Sequence, residues 1–291
     1  TPKQEKKKYA FIIAAKNEEC VIGNLIDSIF EQDYPKELID IFVVADNCTD
    51  KTVEVLKSKK VKYFERNEPN TKLHRKGYAL EFLFNEMKNS GVDIEHDFDG
   101  YVVVDADNVL TKTYLSKMND AFLDGYDAVT PYRNSKNVAS TVWSFQSGLN
   151  WSRVNICDNR PRGFIGSSGC LTGTGFIIKS TYLKDGWKWH LLTEDSELTT
   201  DLIAAEKKIM YVDEAEIYDE QPNTFKMMFR QRIRWQKGNF VVFFKKWGKL
   251  FVSFIKHPTW SKFDQLVSIF PKEFVNFTTN FLYQILSLIL F

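Results

Sequence analysis

Short β-branched runs that alternate with helix-period segments are the strongest constraint in this sequence. YAFIIAA (9–15), IDIFVVAD (39–46), VKYFE (61–65), YVVVDAD (101–107) and YDAVTPY (126–132) read as strands, and VIGNLIDSIFEQ and GYALEFLFNEMKN between them carry apolar residues at helical spacing. Such alternation implies βαβ units and a mainly parallel sheet with helices on both faces. Ligands in such sheets gather at the carboxyl ends of the strands. Asn17, Glu18, Asp46, Asp105 and Asp107 fall at or just past those ends, so they are expected to share one rim.

The chain has 291 residues and 44% hydrophobic content, enough for a substantial core and far from a disordered composition. Its 39 Lys and Arg nearly cancel 38 Asp and Glu, so net charge points to neither a nucleic-acid binder nor an acidic scaffold. The distribution is uneven: from Gln221 to Phe263 there is no acidic residue, while lysines and arginines interleave with Phe, Trp, Met and Val. Cys20, Cys48, Cys157 and Cys170 show no C-x-x-C spacing, which argues for a reducing compartment and against a thiolate zinc site. The start, TPKQEKKK, is polar and reads as a basic tether over 1–8, not as a secretory signal. A glycine-rich stretch, RGFIGSSGCLTGTGFIIK, follows a helix-like segment that begins near residue 138. The expected divisions are an α/β domain over 9–223, interfacial amphipathic helices over 224–272, and an apolar end over 273–291 about as long as a bilayer-spanning helix needs.

Three clusters carry chemistry. Asp105 and Asp107 form an Asp-x-Asp at the end of a buried strand, where like charges persist if a cation sits between them. Mg2+ or Mn2+ suits the pair, because hard cations take oxygen ligands and share them with phosphates. Capping of the helix that starts near TKTYLSKMNDAF by Asp107 or Asn108 explains the same letters. In LLTEDSELTTDL, Thr193, Glu194 and Asp195 open an amphipathic helix, where a cap and first-turn carboxylates are favoured for structural reasons alone. In FRQRIRWQKGN, Gln231, Arg234 and Trp235 lie on adjacent faces of one helix. Such a helix can clamp a diphosphate and stack an indole on a sugar, or lie on a lipid headgroup layer.

The ordered set AAKNEE, VVADNCTDKT, VVVDADN, GTGFIIK, LLTEDSELTTDL and QRIRW resembles the inverting family-2 glycosyltransferases. The likeness is to their processive membrane branch, which includes cellulose, chitin, hyaluronan and poly-N-acetylglucosamine synthases, and it runs from about Tyr9 to about Asn239. The resemblance implies a GT-A fold that binds a UDP-sugar at the strand-end rim. It places Asp46 on the uracil with Asn17 and Glu18 nearby, Asp107 on the metal, and Asp105 on metal, ribose or sugar. Asp195 takes the place of the general base, with Glu194 beside it in the substrate site. Gln231, Arg234 and Trp235 match the motif that holds the diphosphate and the acceptor sugar. Gly173, Thr174 and Gly175 match a loop beside the acceptor, and Lys76 sits where the family has a basic residue near the nucleotide.

The resemblance therefore implies a metal-dependent β-glycosyltransferase that extends a polysaccharide from UDP-glucose or UDP-N-acetylglucosamine. One-sugar transfer to a lipid or short acceptor, and an inactive nucleotide-sugar-binding subunit, are the alternatives. The expected partners are the UDP-sugar, a glycan acceptor and membrane lipid, with further membrane subunits left open and nucleic acid not expected. Basic residues favour the cytoplasmic side of a bilayer, each contributing on the order of 1 kcal/mol near an anionic leaflet. The catalytic domain is therefore expected at the cytoplasmic face of the cell membrane, in a chain that continues into further spans.

Overall fold

The computed structural model describes residues 3–271, so the apolar segment expected to span a bilayer lies outside the described residues. Among those described, the strands are β1 (Tyr9–Ala15), β2 (Ile39–Asp46), β3 (Lys62–Arg66), β4 (Gly100–Asp105), β5 (Val109–Leu110), β6 (Ala128–Ser135), β7 (Phe176–Lys179) and β8 (Ile209–Asp219). The helices are α1 (Ile22–Phe30), α2 (Thr52–Lys59), α3 (Lys76–Asn89), α4 (Tyr114–Phe122), α5 (Val142–Arg153), α6 (Arg160–Phe164), α7 (Glu194–Ala204), α8 (Phe225–Lys256) and α9 (Trp260–Ser268). A π-helical stretch, Val154–Asn159, joins α5 to α6.

One eight-stranded sheet runs in the order β3-β2-β1-β4-β7-β6-β8-β5. Its first four strands pair in parallel, and β7 is antiparallel to both β4 and β6. Alternate residues of β1 feed two cores: Phe11 and Ile13 pack with α1 and α4, whereas Ala10 and Ile12 pack with α3 and α7. Burial on both faces is why these strands read as unbroken apolar runs. Each fully buried Ile or Phe among them contributes about 1.5–3 kcal/mol. The result is an α/β fold with a mixed sheet, as the strand pattern predicts.

Two differences from the sequence reading have physical causes. Strand β8 is not apparent in the sequence, because Asp213, Glu214 and Glu216 interrupt its apolar residues. Its pairing with β6 also slips between Pro131 and Tyr132, and a slip of this kind re-aims the side chains beyond it. The basic start is no free tether: the backbone N–H groups of Lys3, Lys7 and Lys8 donate to Asp120, Asn119 and Asp99, and the Tyr34 hydroxyl donates to the Lys7 carbonyl. The acid-free stretch forms α8 and α9. At 32 residues α8 is about 48 Å long, yet among the described residues no helix is long and apolar enough to cross a membrane.

Helix α8 stays on the domain through Gly238, where an added Cβ would come 2.4 Å from Cγ2 of Thr193. Lys246 reinforces the contact by pairing with Glu197 at 3.1 Å and Asp201 at 2.8 Å on α7. These contacts fix QRIRW opposite the start of α7.

Candidate active site

Strand register builds the rim. Ala14 pairs with Asp105 and Ala15 with Ala45, so the ends of β1, β2 and β4 lie level. Beyond β1, Asn17 adopts φ +57°, a left-handed conformation that Asn tolerates. Its Oδ1 accepts from the Thr49 backbone at 2.8 Å, which locks the loops after β1 and β2 together. Asp46 is buried, and its Oδ1 accepts from Arg66 at 2.6 Å and from Asn47 at 2.8 Å. Glu18 is pushed up to about 7, first by burial and then by the charges of Asp107 and Asp105.

Asp105 and Asp107 do not cap a helix: α4 starts only at Tyr114, after Thr113, and β5 intervenes. Thr174 shapes this corner. Its hydroxyl accepts from the Asp105 backbone N–H at 2.8 Å and also bonds Asn108, and the side chain is fully buried. The adjacent Gly175 donates to the Val103 carbonyl at 2.7 Å and holds φ +68°. Thr174 and Gly175 thus face the interior and support the carboxylates, a correction to their expected contact with substrate. Gly173 does reach the cleft, at φ +87°, and a Cβ there would lie 3.3 Å from Oδ2 of Asp195.

Lys76, the first residue of α3, places its Nζ 2.5 Å from Asp105, 2.8 Å from the Gly173 carbonyl and 3.4 Å from Glu194. Gly77 permits this approach, since a Cβ there would sit 2.2 Å from the Trp189 carbonyl oxygen. Burial lowers the Lys76 pKa, but Asp105, Glu194 and Asp195 outweigh it, so the net shift is upward and the ammonium stays charged. Glu194 and Asp195 are raised, chiefly by burial, with Lys76 opposing the shift in both. Asp107 is pushed up to about 6 by burial and then by Asp105 and Asp219, against the pull of Arg133 and Lys136.

A cavity of about 1200 Å³ is lined by Lys76, Asp105, Asp107, Gly173, Glu194 and Asp195 together with Gln231, Arg234 and Trp235 of α8. Asn17, Glu18 and Asp46 lie outside this lining, on the rim beyond it. Arg234 is exposed and makes no ion pair with any described residue, which suits an anionic ligand. The indole of Trp235 packs edge-on against Trp151, with centroids 5.5 Å apart.

Among the described residues no cluster of three metal-ligating side chains forms a closed cage. The donors that are present fit a shared site: two adjacent carboxylates, one raised in pKa by burial and by its acidic neighbours, would take a hard cation whose other ligands come from a diphosphate.

The family model described as glycosyltransferase like family 2 matches residues 6–238. The chain belongs to this family. Relatives include a protein called probable glycosyltransferase from Bacillus subtilis strain 168, 28% identical over 85% of this chain and 59% of its own length. A β-monoglucosyldiacylglycerol synthase of Synechocystis is 26% identical over 81% of this chain and 48% of its own length. A poly-β-1,6-N-acetyl-D-glucosamine synthase of Staphylococcus epidermidis is 23% identical over 81% and 55%. The chain spans about half the length of the curated relatives it matches. In solved structures, a Pyrobaculum calidifontis mannosyltransferase in complex with GDP-Man and Mn2+ superposes with a TM-score of 0.62 at 16% identity, over 91% of this chain and 69% of that one. Residues 1–349 of TarS from S. aureus, in complex with UDP, superpose with a TM-score of 0.55 at 16% identity, over 90% and 70%. These likenesses carry the GT-A-like fold.

Among the cavity residues of the family-2 domain that escape the sequence reading are Arg133, Trp151 and Asp219. Asp219 ends β8 much as Asp46 ends β2 and Asp105 ends β4, so recognition of β8 was the signal that would have found it. Nothing in their local sequence singles out Arg133 or Trp151.

Proposed function

We propose that this chain is the catalytic part of a metal-dependent inverting glycosyltransferase. In this reading it passes a glucosyl or N-acetylglucosaminyl group from a UDP-sugar to a growing glycan at the cytoplasmic face of a membrane. One observation carries the reading: Asp105, Asp107 and Asp195 face the same cavity as Gln231, Arg234 and Trp235. Asp107 and Asp105 would hold Mg2+ or Mn2+, which supplies electrostatic stabilisation of the departing diphosphate. Arg234 and Gln231 bind the same phosphates from α8, and Lys76 adds a positive charge beside Asp105. Asp195, raised in pKa and with no cation of the described residues within bonding distance, accepts the proton of the attacking hydroxyl. Trp235 offers a face for the acceptor ring. Asp46, Asn17 and Glu18 lie where the base and ribose of the nucleotide would extend along the rim. The mannosyltransferase structure, with its GDP-Man and Mn2+, supports a nucleotide-sugar donor and a divalent cation, and the TarS structure, with its UDP, supports a uridine nucleotide.

Membrane association rests on α8, whose exposed Phe229, Ile233, Phe244 and Phe251 lie among basic residues with no acid. Transfer of one sugar to a lipid is the second reading, favoured by the likeness to the β-monoglucosyldiacylglycerol synthase. Incubation with Mn2+ and a panel of labelled UDP-sugars tests both. A polymer supports the first reading and a single-sugar glycolipid the second; no transfer from any UDP-sugar overturns both.

A further inference from the structure

Arg133 occupies a position that none of the motif residues explains. It lies on β6 just past the slip in pairing with β8, which sets Arg133 beside Ile217 and Ser135 beside Asp219. The guanidinium therefore reaches diagonally to Asp219, with Nε 2.7 Å from Oδ2 and Nη2 on the same oxygen. Its remaining nitrogen, Nη1, donates to the Thr172 carbonyl at 2.6 Å, directly before Gly173. Over its face lies Trp151, with Cζ 3.8 Å from the ring centroid. Every part of the planar group is thus in use, and the side chain is only 11% exposed.

The same helical segment also holds the Arg133 backbone. Asn155, fully buried in the π-helical stretch, donates to the Arg133 carbonyl at 2.8 Å and accepts from its N–H at 3.3 Å. One turn on, Asn159 accepts from the Cys170 N–H at 2.9 Å. A π-helical stretch widens the turn, and such widening recurs at functional sites because it re-aims side chains. Here Trp151, at the end of α5, lies over the guanidinium, while Asn155, in the π-helical stretch, meets the backbone of the same residue. Trp151, fixed from below, in turn meets the edge of Trp235, 5.5 Å away at 69°.

We propose that Arg133 is a positioning residue for the acceptor subsite. Through Trp151 it sets the orientation of Trp235, and through Thr172 it sets the loop that brings Gly173 to Asp195. This rests on the transferase reading above. A lysine keeps the charge but has neither the fork nor the flat face, so Arg→Lys is not conservative at such a site.

The test is a double-mutant cycle of R133K and W151F in the full chain, with UDP-glucose or UDP-N-acetylglucosamine as donor and short β-linked oligomers of either sugar as acceptors. R133K is expected to raise the acceptor KM about tenfold while the Kd for UDP with Mn2+ stays within about twofold. W151F is expected to act in the same direction, and the two together to cost less than the sum of each alone, because both act through the contact of Arg133 with Trp151. Calorimetric titration of oligomer into the UDP- and Mn2+-loaded protein reads the same subsite without turnover. An unchanged acceptor KM, strictly additive effects, or equal losses of UDP and acceptor affinity would overturn the proposal, as would failure of the wild type to bind any oligomer. Should R133K fail to fold, W151F alone decides by the same split. Absence of transfer by the wild type, with oligomer binding intact and weakened in the variants, would sink the transferase reading and leave the positioning role standing.

Discussion

Lys76 and Asp105 lie 2.5 Å apart, ammonium to carboxylate, at the junction of α3 and β4. An acidic pair at a strand end needs a positive partner, and the chain supplies one from its own sequence, shared with Glu194 at 3.4 Å. That leaves Asp107 as the less compensated carboxylate of the two, with its pKa pushed up to about 6 by burial and then by acidic neighbours. Asp105 is thus neutralised from within, and Asp107 is the member that most needs a cation from outside.

Replacing Lys76 with Met keeps the stem and removes the charge. Glu194 and Asp105 then lose their partner, and the expected cost is about 1–3 kcal/mol, below that of a fully buried pair because Asp105 is 36% exposed. Thermal melting without metal should show the loss, and Mn2+ with UDP should restore part of it. Equal melting temperatures for variant and wild type would remove Lys76 from the electrostatic balance of the site.

Asp195→Asn tests the assignment of the base. The amide keeps the size of the side chain and its bond to the Ser196 N–H, but it cannot take a proton. Transfer should fall by about 10²–10⁴, with UDP affinity in the presence of Mn2+ nearly unchanged. Wild-type turnover in this variant would exclude Asp195 from proton transfer.

The strands β1, β2 and β4 were legible because double-sided burial makes them continuous apolar runs, β3 and β6 through their β-branched and aromatic residues, and the helix of Glu194 because its first turn is acidic. Asp105, Asp107, Asp195, Gln231, Arg234 and Trp235 were legible through motif order, and all six line one cavity. Thr174 was legible as a motif letter but not as a support for Asp105, since its orientation is set by the close approach of Gly175 to Val103. Arg133 and Asp219 were hidden, because their meeting depends on a slip between two strands distant in sequence. The docking of residues 3–8 was hidden too, since it is made by backbone groups whose partners are Asp99, Asn119 and Asp120.

Cation uptake should depend on pH in the direction set by Asp107. Its folded pKa, about 6, lies above the ordinary 3.8. Between those values the folded protein holds a proton that the unfolded chain has released, so without metal the contribution of Asp107 to stability falls as pH rises through this window. A metal ligand must be ionised, so affinity for Mn2+ with UDP should drop as pH falls below about 6, by up to tenfold per unit. Calorimetry at three pH values reads both this slope and the proton released on binding. Affinity that is flat from neutral pH down to about 5 would mean that Asp107 is not a ligand. Asp195 is raised in the same direction, so turnover should also fade on acidification as the base becomes protonated.

Gly238→Ala addresses how α8 is held over the cleft. A methyl group there would come 2.4 Å from Cγ2 and 2.7 Å from Oγ1 of Thr193. Both atoms belong to the residue directly before Glu194 and Asp195, so either α8 lifts or the start of α7 shifts. Overpacking of this kind costs about 1–3 kcal/mol, and the melting temperature should fall. The displacement also separates Arg234 and Trp235 from Asp195, which lie on opposite sides of the contact. Activity should therefore fall further than stability explains, with a loss of turnover even at temperatures where the variant is fully folded. Gly248 is the control on the same helix: nothing lies within 4 Å of a Cβ built there, so Gly248→Ala should be neutral or slightly stabilising through helix propensity. Equal activity in the two variants would show that the contact between Gly238 and Thr193 does not set the geometry of the cleft.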